Sequence, residues 1–322
     1  MSISKGLPLE SSIIYKHDPD MFMRPSYRIS PFTTSDLSRV TFLNHNSEFD
    51  RVAGNFFGGR EFRLTESGRV AIEIALEAMG INKQDLVSIV TTSHNYYVSS
   101  CVTSAIEKHC RWNRTVGPDT SVIFVIHEFG CLYKSVHSLK QYGLPIIEDF
   151  AHAFASRHSP IGSFSERLIG DYAIFSLPKF IPIQFGGVVV SSKDRLGGQY
   201  IDPKRRAWLE AKFAEFFGEL ELTIVARKNI HRILSEKFSR LHLNSFFEYS
   251  EGEVPGAFLF SADLTSSQLQ ALKLHTQSYG IESSVFYGEK AFFLPCHQRL
   301  TPIDAEYFYE IIEMFIKEKM AP

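Results

Sequence analysis

The sequence predicts an α/β protein built around a mostly parallel sheet. Short apolar runs alternate with helical segments from about residue 60 to residue 190, as expected for strands joined by helical crossovers. Polar and aromatic residues follow several of these runs directly, and ligands of such sheets bind beyond the carboxyl ends of the strands. With 322 residues and 44% hydrophobic content, the chain can bury one large core and a smaller second one.

Changes in composition along the chain predict its organisation. Residues 1–50 are rich in Ser, Pro and Asp and predict an irregular N-terminal arm. Residues 51–200 carry the alternating pattern and predict the large, ligand-binding domain. Residues 201–322 begin with charged helices and predict a connecting helix pair followed by a small C-terminal α/β domain.

Charge and cysteine usage argue against several classes of function. The 34 basic and 36 acidic residues nearly balance, and no basic stripe is present, so we expect no nucleic-acid partner. The four cysteines are far apart and lack metal-ligand spacing, which predicts free thiols in a reducing compartment and no metal site. No signal peptide or membrane-length apolar run is evident, so we expect a cytoplasmic protein without a membrane partner.

The first element that could bind a ligand is a helix predicted from Ser67 to Gly80. Ser67 is a suitable N-cap, and apolar residues then recur three and four positions apart. Free amides at such a helix start favour an anion, and Arg69 would add a cation beside them. An ordinary N-cap is the commoner meaning of this pattern taken alone.

Three further apolar runs predict buried strands, each followed by residues that could line a site. The runs are Leu86–Val90, Val122–Ile126 and Leu144–Ile147, and a helical segment is predicted from Tyr133 to Tyr142. The polar and aromatic residues that follow the three runs are Tyr96, Tyr97, His127, Asp149 and His152.

The central stretch of the chain places Lys179 in a loop between two predicted strands. These strands are Tyr172–Leu177 and Val188–Val190, and the loop between them contains Pro and Gly. A lysine among apolar residues loses hydration, which favours its neutral, nucleophilic amine. The alternative is a solvated lysine with no chemical role, as most loop lysines are.

The C-terminal third predicts mainly helices. We expect helices at Arg205–Phe217, Leu222–Leu241, Ser266–Tyr279 and Pro302–Lys317, with a strand at Ala257–Phe260. The apolar stretch 292–294 is interpreted as core rather than as part of a substrate site.

The order of these motifs resembles the DegT/DnrJ/EryC1/StrS family. The motifs are S-G-x at a helix start, an aromatic pair, H-x-F-G, E-D-x-A-H, G-D-x-x-x-F-S, and a lysine followed by Gly186-Gly187. The family comprises sugar aminotransferases that use pyridoxal 5′-phosphate. The resemblance implies the fold-type-I scaffold, with a three-layer α/β/α large domain and a small C-terminal domain.

The resemblance also assigns roles to residues. Lys179 would form the Schiff base with the cofactor and carry a proton during catalysis, and Asp149 would pair with the pyridine nitrogen. His152 would hydrogen-bond the phenolic oxygen, and either Tyr97 or Tyr96 would stack on the ring. The positions that match the phosphate cup are Ser67, Gly68 and Ser176.

Three departures from the family pattern bear on the site. Arg69 stands where the family has threonine, and we expect it to bind the cofactor phosphate. The alternative is that it points to solvent or to the substrate's own phosphates. Two residues separate Ser176 from Lys179, where about four are usual. The G-x-N-x-R segment, which reaches the partner subunit's cofactor in the family, is not found.

As an implication of the resemblance, the expected function is transfer of an amino group to a nucleotide-linked keto sugar in polysaccharide biosynthesis. The expected amino donor is glutamate, and a homodimer is expected. One alternative is a homologue with impaired or no catalysis and a structural or regulatory role in a biosynthetic cluster. A sugar dehydratase is less favoured, because that branch has histidine where Lys179 stands.

Overall fold

The computed structural model describes residues 26–39, 47–161, 163–193, 196–197 and 201–320. Much of the predicted N-terminal arm, residues 1–25 and 40–46, therefore lies outside the described residues. The predicted division of the chain at residues 50 and 200 stays a prediction.

A seven-stranded sheet forms the centre of the larger part of the chain. Its strands are β1 (Glu61–Thr65), β2 (Leu86–Thr91), β3 (Arg111–Asn113), β4 (Val122–Ile126), β5 (Ile146–Asp149), β6 (Tyr172–Ser176) and β7 (Gly187–Ser191). Their spatial order is β1-β7-β6-β5-β4-β2-β3. Strands β2 to β6 run parallel, whereas β7 is antiparallel to both β6 and β1. The predicted α/β fold with a mostly parallel sheet is confirmed.

Helices cover both faces of this sheet. The helices of the chain are α1 (Ser47–Phe57), α2 (Gly68–Ala78), α3 (Ser100–Glu107), α4 (Val136–Leu139), α5 (Pro203–Phe217), α6 (Leu220–Phe238), α7 (Ser266–Ser278) and α8 (Pro302–Met320). Helices α1 and α5 pack on one face, and α2 and α3 pack on the other. Strand β7 shows the alternation, because Val188 and Val190 join the first core and Val189 joins the second. The result is the expected three-layer arrangement.

Helix α2 begins and ends as its sequence predicts. The Ser67 side chain accepts a hydrogen bond from the amide of Val70 at 3.4 Å. At the other end Gly80 has a φ of +70°, which glycine adopts without steric cost. Between these ends, five apolar side chains are buried against the sheet: Ala71, Ile72, Ile74, Ala75 and Leu76.

A second, three-stranded antiparallel sheet forms the smaller core. It consists of β8 (Phe258–Ser261), β9 (Ser284–Phe286) and β10 (Ala291–Leu294), in the order β8-β10-β9. Helices α7 and α8 and the C-terminal half of α6 pack around it. The N-terminal half of α6 packs in the larger core, so this helix joins the two. In the stretch 292–294, Phe292 and Leu294 are core, as interpreted, and all three residues belong to a strand. Phe293 is half-buried and lines a cavity between the two sheets, so for this residue the interpretation is wrong.

The predicted helix at Tyr133–Tyr142 is shorter than expected. Helix α4 starts at Val136, and a 3₁₀ turn at Lys140–Tyr142 follows it. The amide of Tyr133 donates to His127 Nδ1 at 3.0 Å, and that of Leu132 donates to Glu253 at 2.7 Å. Because side-chain acceptors satisfy the amides of Leu132 and Tyr133, these residues are stable outside a helix.

Two other features concern the helices and the N-terminal segment. None of the helices that the structure describes is long and apolar enough to cross a membrane. The described N-terminal segment 26–36 lies along the smaller core, where Tyr27 exchanges backbone hydrogen bonds with Gly280 and Glu282. The same segment then reaches the loop that contains Lys179, because the Ser30 hydroxyl donates to the Pro178 carbonyl at 2.7 Å.

Candidate active site

A cavity of about 210 Å³ lies between the carboxyl ends of the large sheet's strands and the smaller sheet. Lys179, Asp149 and His152 line it from the large sheet. Phe286 and Tyr287 line it from the region of β9. The structure thus brings together residues that are far apart in sequence, at the edge where a parallel sheet is expected to bind its ligand.

Lys179 ends a short 3₁₀ turn, Leu177–Lys179, that directly follows β6. The Leu177 amide donates to the Gly186 carbonyl at 3.1 Å, which closes the loop between β6 and β7. Burial lowers the pKa of the Lys179 amine, and the nearby Asp149 carboxylate opposes that shift. A lowered pKa increases the fraction of neutral amine, the form that attacks a carbonyl.

Asp149 ends β5 and is buried. Its Oδ1 accepts a hydrogen bond from the Ala151 amide at 2.8 Å. Burial raises the pKa of the carboxyl, whereas the Lys179 charge and the Ala151 amide lower it. The net effect is a raised pKa, and the carboxyl group has a fixed orientation. A protonated ring nitrogen beside it would favour its ionised form.

His152 lies in the turn after β5, with its ring centroid 5.4 Å from that of Phe129. Burial lowers the pKa of His152 well below its usual value, and the charges of Lys179 and Arg227 lower it further. The imidazole is therefore neutral at neutral pH. A neutral ring has one N–H donor and one acceptor nitrogen, so it can donate to a phenolic oxygen.

The two candidate tyrosines lie in different environments. Tyr97 lines the cavity, and its ring centroid is 5.3 Å from that of Tyr287. Tyr96 is 78% exposed and is not among the lining residues of this cavity. Of the two alternatives, the geometry favours Tyr97 as the stacking residue.

The three cup residues lie side by side, adjacent to the lysine turn. A Cβ placed on Gly68 would lie 3.2 Å from Ser176 Cβ. A Cβ on Gly187 would lie 2.5 Å from the Ser67 carbonyl carbon and 2.6 Å from the Gly68 nitrogen. The start of α2 therefore packs directly on the end of β6 and the start of β7. Only glycine at position 187 allows this close approach, because any side chain there would overlap the backbone of Ser67 and Gly68. These residues are not part of the lining of the 210 Å³ cavity.

Arg69 is exposed in the first turn of α2. Within the described part of the chain, it makes no hydrogen bond or ion pair and does not line the cavity. Its expected role as a phosphate ligand stays a prediction.

Two residues that the sequence analysis did not single out belong to this site. Glu128 lines the cavity after β4, accepts the Ser93 amide at 2.6 Å, and has its pKa raised by burial. Arg227 is fully buried behind the lysine turn and donates to the Lys179 carbonyl at 3.1 Å. Glu128 follows a strand, as the other lining residues do. Arg227 interrupts the apolar stripe of α6, a signal that sequence could have supplied.

The donor set fits the cofactor that the resemblance implies. A desolvated amine, an oriented carboxylate and a neutral imidazole share one cavity with an exposed aromatic ring. Beside them is a cradle of backbone and hydroxyl groups at a helix N-terminus, the kind of environment that favours a phosphate.

Comparison with known proteins gives a consistent picture. Residues 38–201 match the model of the DegT/DnrJ/EryC1/StrS aminotransferase family. The GDP-perosamine synthase of Caulobacter vibrioides is 25% identical over 188 residues, which are 50% of this chain and 49% of that protein. The chain thus matches about half the length of this curated relative.

Solved structures resemble the whole described fold. The aminotransferase TlmJ from Streptoalloteichus hindustanus has a TM-score of 0.73 at 14% identity, over 92% of this chain and 100% of that chain. The aminotransferase from Psychrobacter cryohalolentis has a TM-score of 0.69 at 14% identity, over 91% and 99% of the two chains. The PLP form of Spr1654 from Streptococcus pneumoniae has a TM-score of 0.67 at 13% identity, over 93% and 100%. At these identities the likeness shows the fold alone.

Proposed function

The chain belongs to the DegT/DnrJ/EryC1/StrS aminotransferase family, and on this premise we propose that it is a pyridoxal-phosphate-dependent aminotransferase acting on a nucleotide-linked keto sugar. The observation that carries the proposal is the shared cavity of Lys179, Asp149, His152 and Tyr97. Its support is the lowered pKa of Lys179 and His152 and the fixed orientation of the Asp149 carboxyl group.

The cofactor, when bound, supplies an electron sink and carries the amino group between donor and acceptor. Lys179 would attach the cofactor and could carry a proton on its Nζ. Asp149 would favour a protonated ring nitrogen, and His152 could donate to a phenolic oxygen. Tyr97 would contact the ring.

The phosphate-binding role belongs to the cradle beside the cavity. Ser67 and Gly68 at the start of α2, together with Ser176 at the end of β6, would bind the phosphate through amides and hydroxyls. The helix dipole favours an anion at that end by about 0.3–1 kcal/mol, and the hydrogen bonds add to it. Arg69 is exposed in the first turn of the same helix, so a contact between its guanidinium and the phosphate would require its side chain to reorient.

The substrate class rests on the family and on one relative. The name of the Caulobacter protein specifies a GDP-linked product, which supports a nucleotide-linked sugar as the acceptor. Glutamate as the amino donor, a role in polysaccharide biosynthesis and a homodimer are proposed on the resemblance alone.

The test is covalent trapping. We expect the protein incubated with pyridoxal phosphate to absorb in the near-visible, and borohydride reduction followed by peptide mass spectrometry to place the label on Lys179. Lys179→Ala should abolish both the label and amino transfer from glutamate to nucleotide-linked keto sugars. Lys83→Ala is the matched control, because Lys83 is exposed and remote from the cavity.

Two results would contradict parts of the proposal. A label on another lysine would show that Lys179 is misassigned. A label on Lys179 without amino transfer to any keto sugar would favour the homologue with impaired catalysis.

A further inference from the structure

Arg227 occupies the point at which α6 passes from the larger core to the smaller one. Ile224 packs in the first core and Ile230 in the second, and Arg227 lies between them on the same buried stripe. Its relative exposure is 0%. An arginine at an apolar position needs a structural or functional reason, since burying its charge carries a large desolvation cost.

The guanidinium holds the backbone of the lysine turn. Its Nη2 donates to the carbonyl of Lys179 at 3.1 Å and to that of Phe180 at 3.5 Å. Its plane lies over the Phe180 ring, with Cζ 4.1 Å from the ring centroid. Arg227 therefore hydrogen-bonds two consecutive carbonyl groups and stacks on the Phe180 ring.

The rest of the guanidinium is fixed to the C-terminal part of the chain. Nη1 donates to the carbonyls of Pro255 at 3.4 Å and Cys296 at 3.3 Å. Nε donates to Gln298 Oε1 at 3.0 Å. All of these acceptors are carbonyl or amide oxygens, so none of them neutralises the charge of the guanidinium. Burial lowers the pKa of Arg227 only to about 10, so the group stays charged at neutral pH.

Two neighbouring side chains also hydrogen-bond the backbone of this turn. The Gln298 amide also donates to the Phe180 carbonyl at 3.1 Å, and the Ser30 hydroxyl donates to the Pro178 carbonyl at 2.7 Å. Three successive carbonyls, at 178, 179 and 180, thus have donors supplied from outside the turn. The Lys179 side chain lines the cavity, while its own carbonyl is bound to Arg227.

We propose that Arg227 is the positioning residue of Lys179: by fixing the carbonyls of Lys179 and Phe180 against the C-terminal domain, it aims the lysine amine into the cavity. The inference rests on the proposed function, in which Lys179 attaches the cofactor. Because the carbonyl and the side chain share one Cα, rotation of the Lys179 peptide would redirect the amine. The guanidinium is suited to this task, since its planar fork offers five donors in fixed directions.

The test compares Arg227→Lys with Arg232→Lys. Lysine keeps the charge at 227, but its single ammonium has three donors on a flexible stem and cannot reproduce the planar fork that bonds five acceptors. Arg232 is exposed on the same helix, paired with Glu236, and serves as the control. We expect Arg227→Lys to slow attachment of free pyridoxal phosphate at least 10-fold, by stopped-flow absorbance, and to lower kcat at least 10-fold with an unchanged KM for the amino donor. Arg232→Lys should match the wild type in both.

A merely structural role predicts a different result. If Arg227→Lys lowers the melting temperature but attaches the cofactor at the wild-type rate below that temperature, the inference is overturned. Should Arg227→Lys fail to fold, Gln298→Met decides, because it removes one acceptor of Arg227 and one donor to Phe180 while leaving the arginine. We expect it to slow attachment about 3-fold, and a wild-type rate would overturn the inference.

The wild-type protein separates this inference from the proposed function. Absence of borohydride-trapped cofactor on wild-type Lys179 would overturn both. Trapping on wild-type Lys179, together with an unaltered rate in Arg227→Lys, would overturn the positioning role alone.

Discussion

Tyr96 and Tyr97 are neighbours in sequence, but they differ in what they contact. The Tyr97 amide donates to Asn95 Oδ1 at 3.2 Å, and the Asn95 side chain donates in turn to the Tyr287 carbonyl at 2.6 Å. This bridge between the two domains holds Tyr97 at the cavity. Tyr97 is 43% exposed, so one part of its ring remains available to a ligand.

This difference predicts unequal effects of substitution. Loss of an aromatic contact costs about 0.5–1.5 kcal/mol, so Tyr97→Ala should raise the Kd for pyridoxal phosphate roughly 2- to 13-fold. Tyr96→Ala should leave the Kd unchanged, and Tyr97→Phe should retain most of the affinity. Fluorescence titration of the cofactor-free protein measures all three. An equal or larger effect of Tyr96→Ala would reverse the assignment.

The site residues that the sequence identified can be recognised from their immediate neighbours in the chain, whereas Arg227, which it missed, cannot. Lys179, Asp149 and His152 each follow an apolar run, so their place at a strand end can be inferred from neighbouring residues. Arg227 could be recognised only as an exception in a helical stripe. Its contact with the Lys179 carbonyl joins residues 48 positions apart, and no local pattern predicts that pairing.

At the scale of elements, the start of α2 and the start of β7 are packed backbone against backbone. A methyl group on Gly187 would overlap the peptide between Ser67 and Gly68. The proposed phosphate cradle therefore depends on a glycine in the strand opposite it. Gly54, in the middle of α1, has open space where its Cβ would be.

These two glycines give a matched pair of predictions. Gly187→Ala should destabilise the protein by about 1–3 kcal/mol, because the strand or the helix must move, and it should weaken cofactor binding. Gly54→Ala should raise the free energy of unfolding by about 0.5–1 kcal/mol, because alanine is the better helix former. Urea denaturation and cofactor titration of both variants provide the measurement. Wild-type stability and affinity in Gly187→Ala would contradict the packing described.

The longer helices were predictable from the sequence, and the shortest strands were not. Helices α2, α5 and α7 have enough turns to show a periodicity, and their predicted bounds lie within a few residues of those observed. Strands β3 and β9 have three residues each, and they exist because parallel or antiparallel partners complete their hydrogen bonds. Such short strands carry no pattern of their own, so the sequence analysis missed them.

At the scale of the whole molecule, two cores are joined by groups that lie between them. The cavity, the Arg227 contacts and the described N-terminal segment all connect the larger core to the smaller one. The sequence could not show how the two cores meet. That arrangement depends on contacts such as those of Arg299, whose guanidinium pairs with Asp36 and donates to Thr33 in the N-terminal segment.

Buried histidines should make this assembly sensitive to acid. Burial lowers the pKa of His231 to about 4 and that of His297 to about 3. His297 Nε2 bonds the Arg28 carbonyl at 3.1 Å, and its Nδ1 accepts the Arg299 amide at 3.3 Å, so this ring ties the N-terminal segment to the smaller domain. Both rings are neutral in the folded protein at pH values where they become charged in the unfolded chain.

The sign of the pH dependence follows from these shifts. Below the unfolded pKa of about 6.5, the unfolded chain binds protons that the folded state does not, so acid favours unfolding. Each such histidine should lower the free energy of unfolding by up to about 1.4 kcal/mol per pH unit, from about pH 6.5 down to its folded pKa. Urea unfolding at pH 7, 6 and 5 should show a falling stability, with a shallower fall in His297→Gln. His137→Gln, at an exposed position, is the control and should keep the wild-type slope. Parallel curves for His297→Gln and the wild type would show that His297 is not a source of the acid sensitivity.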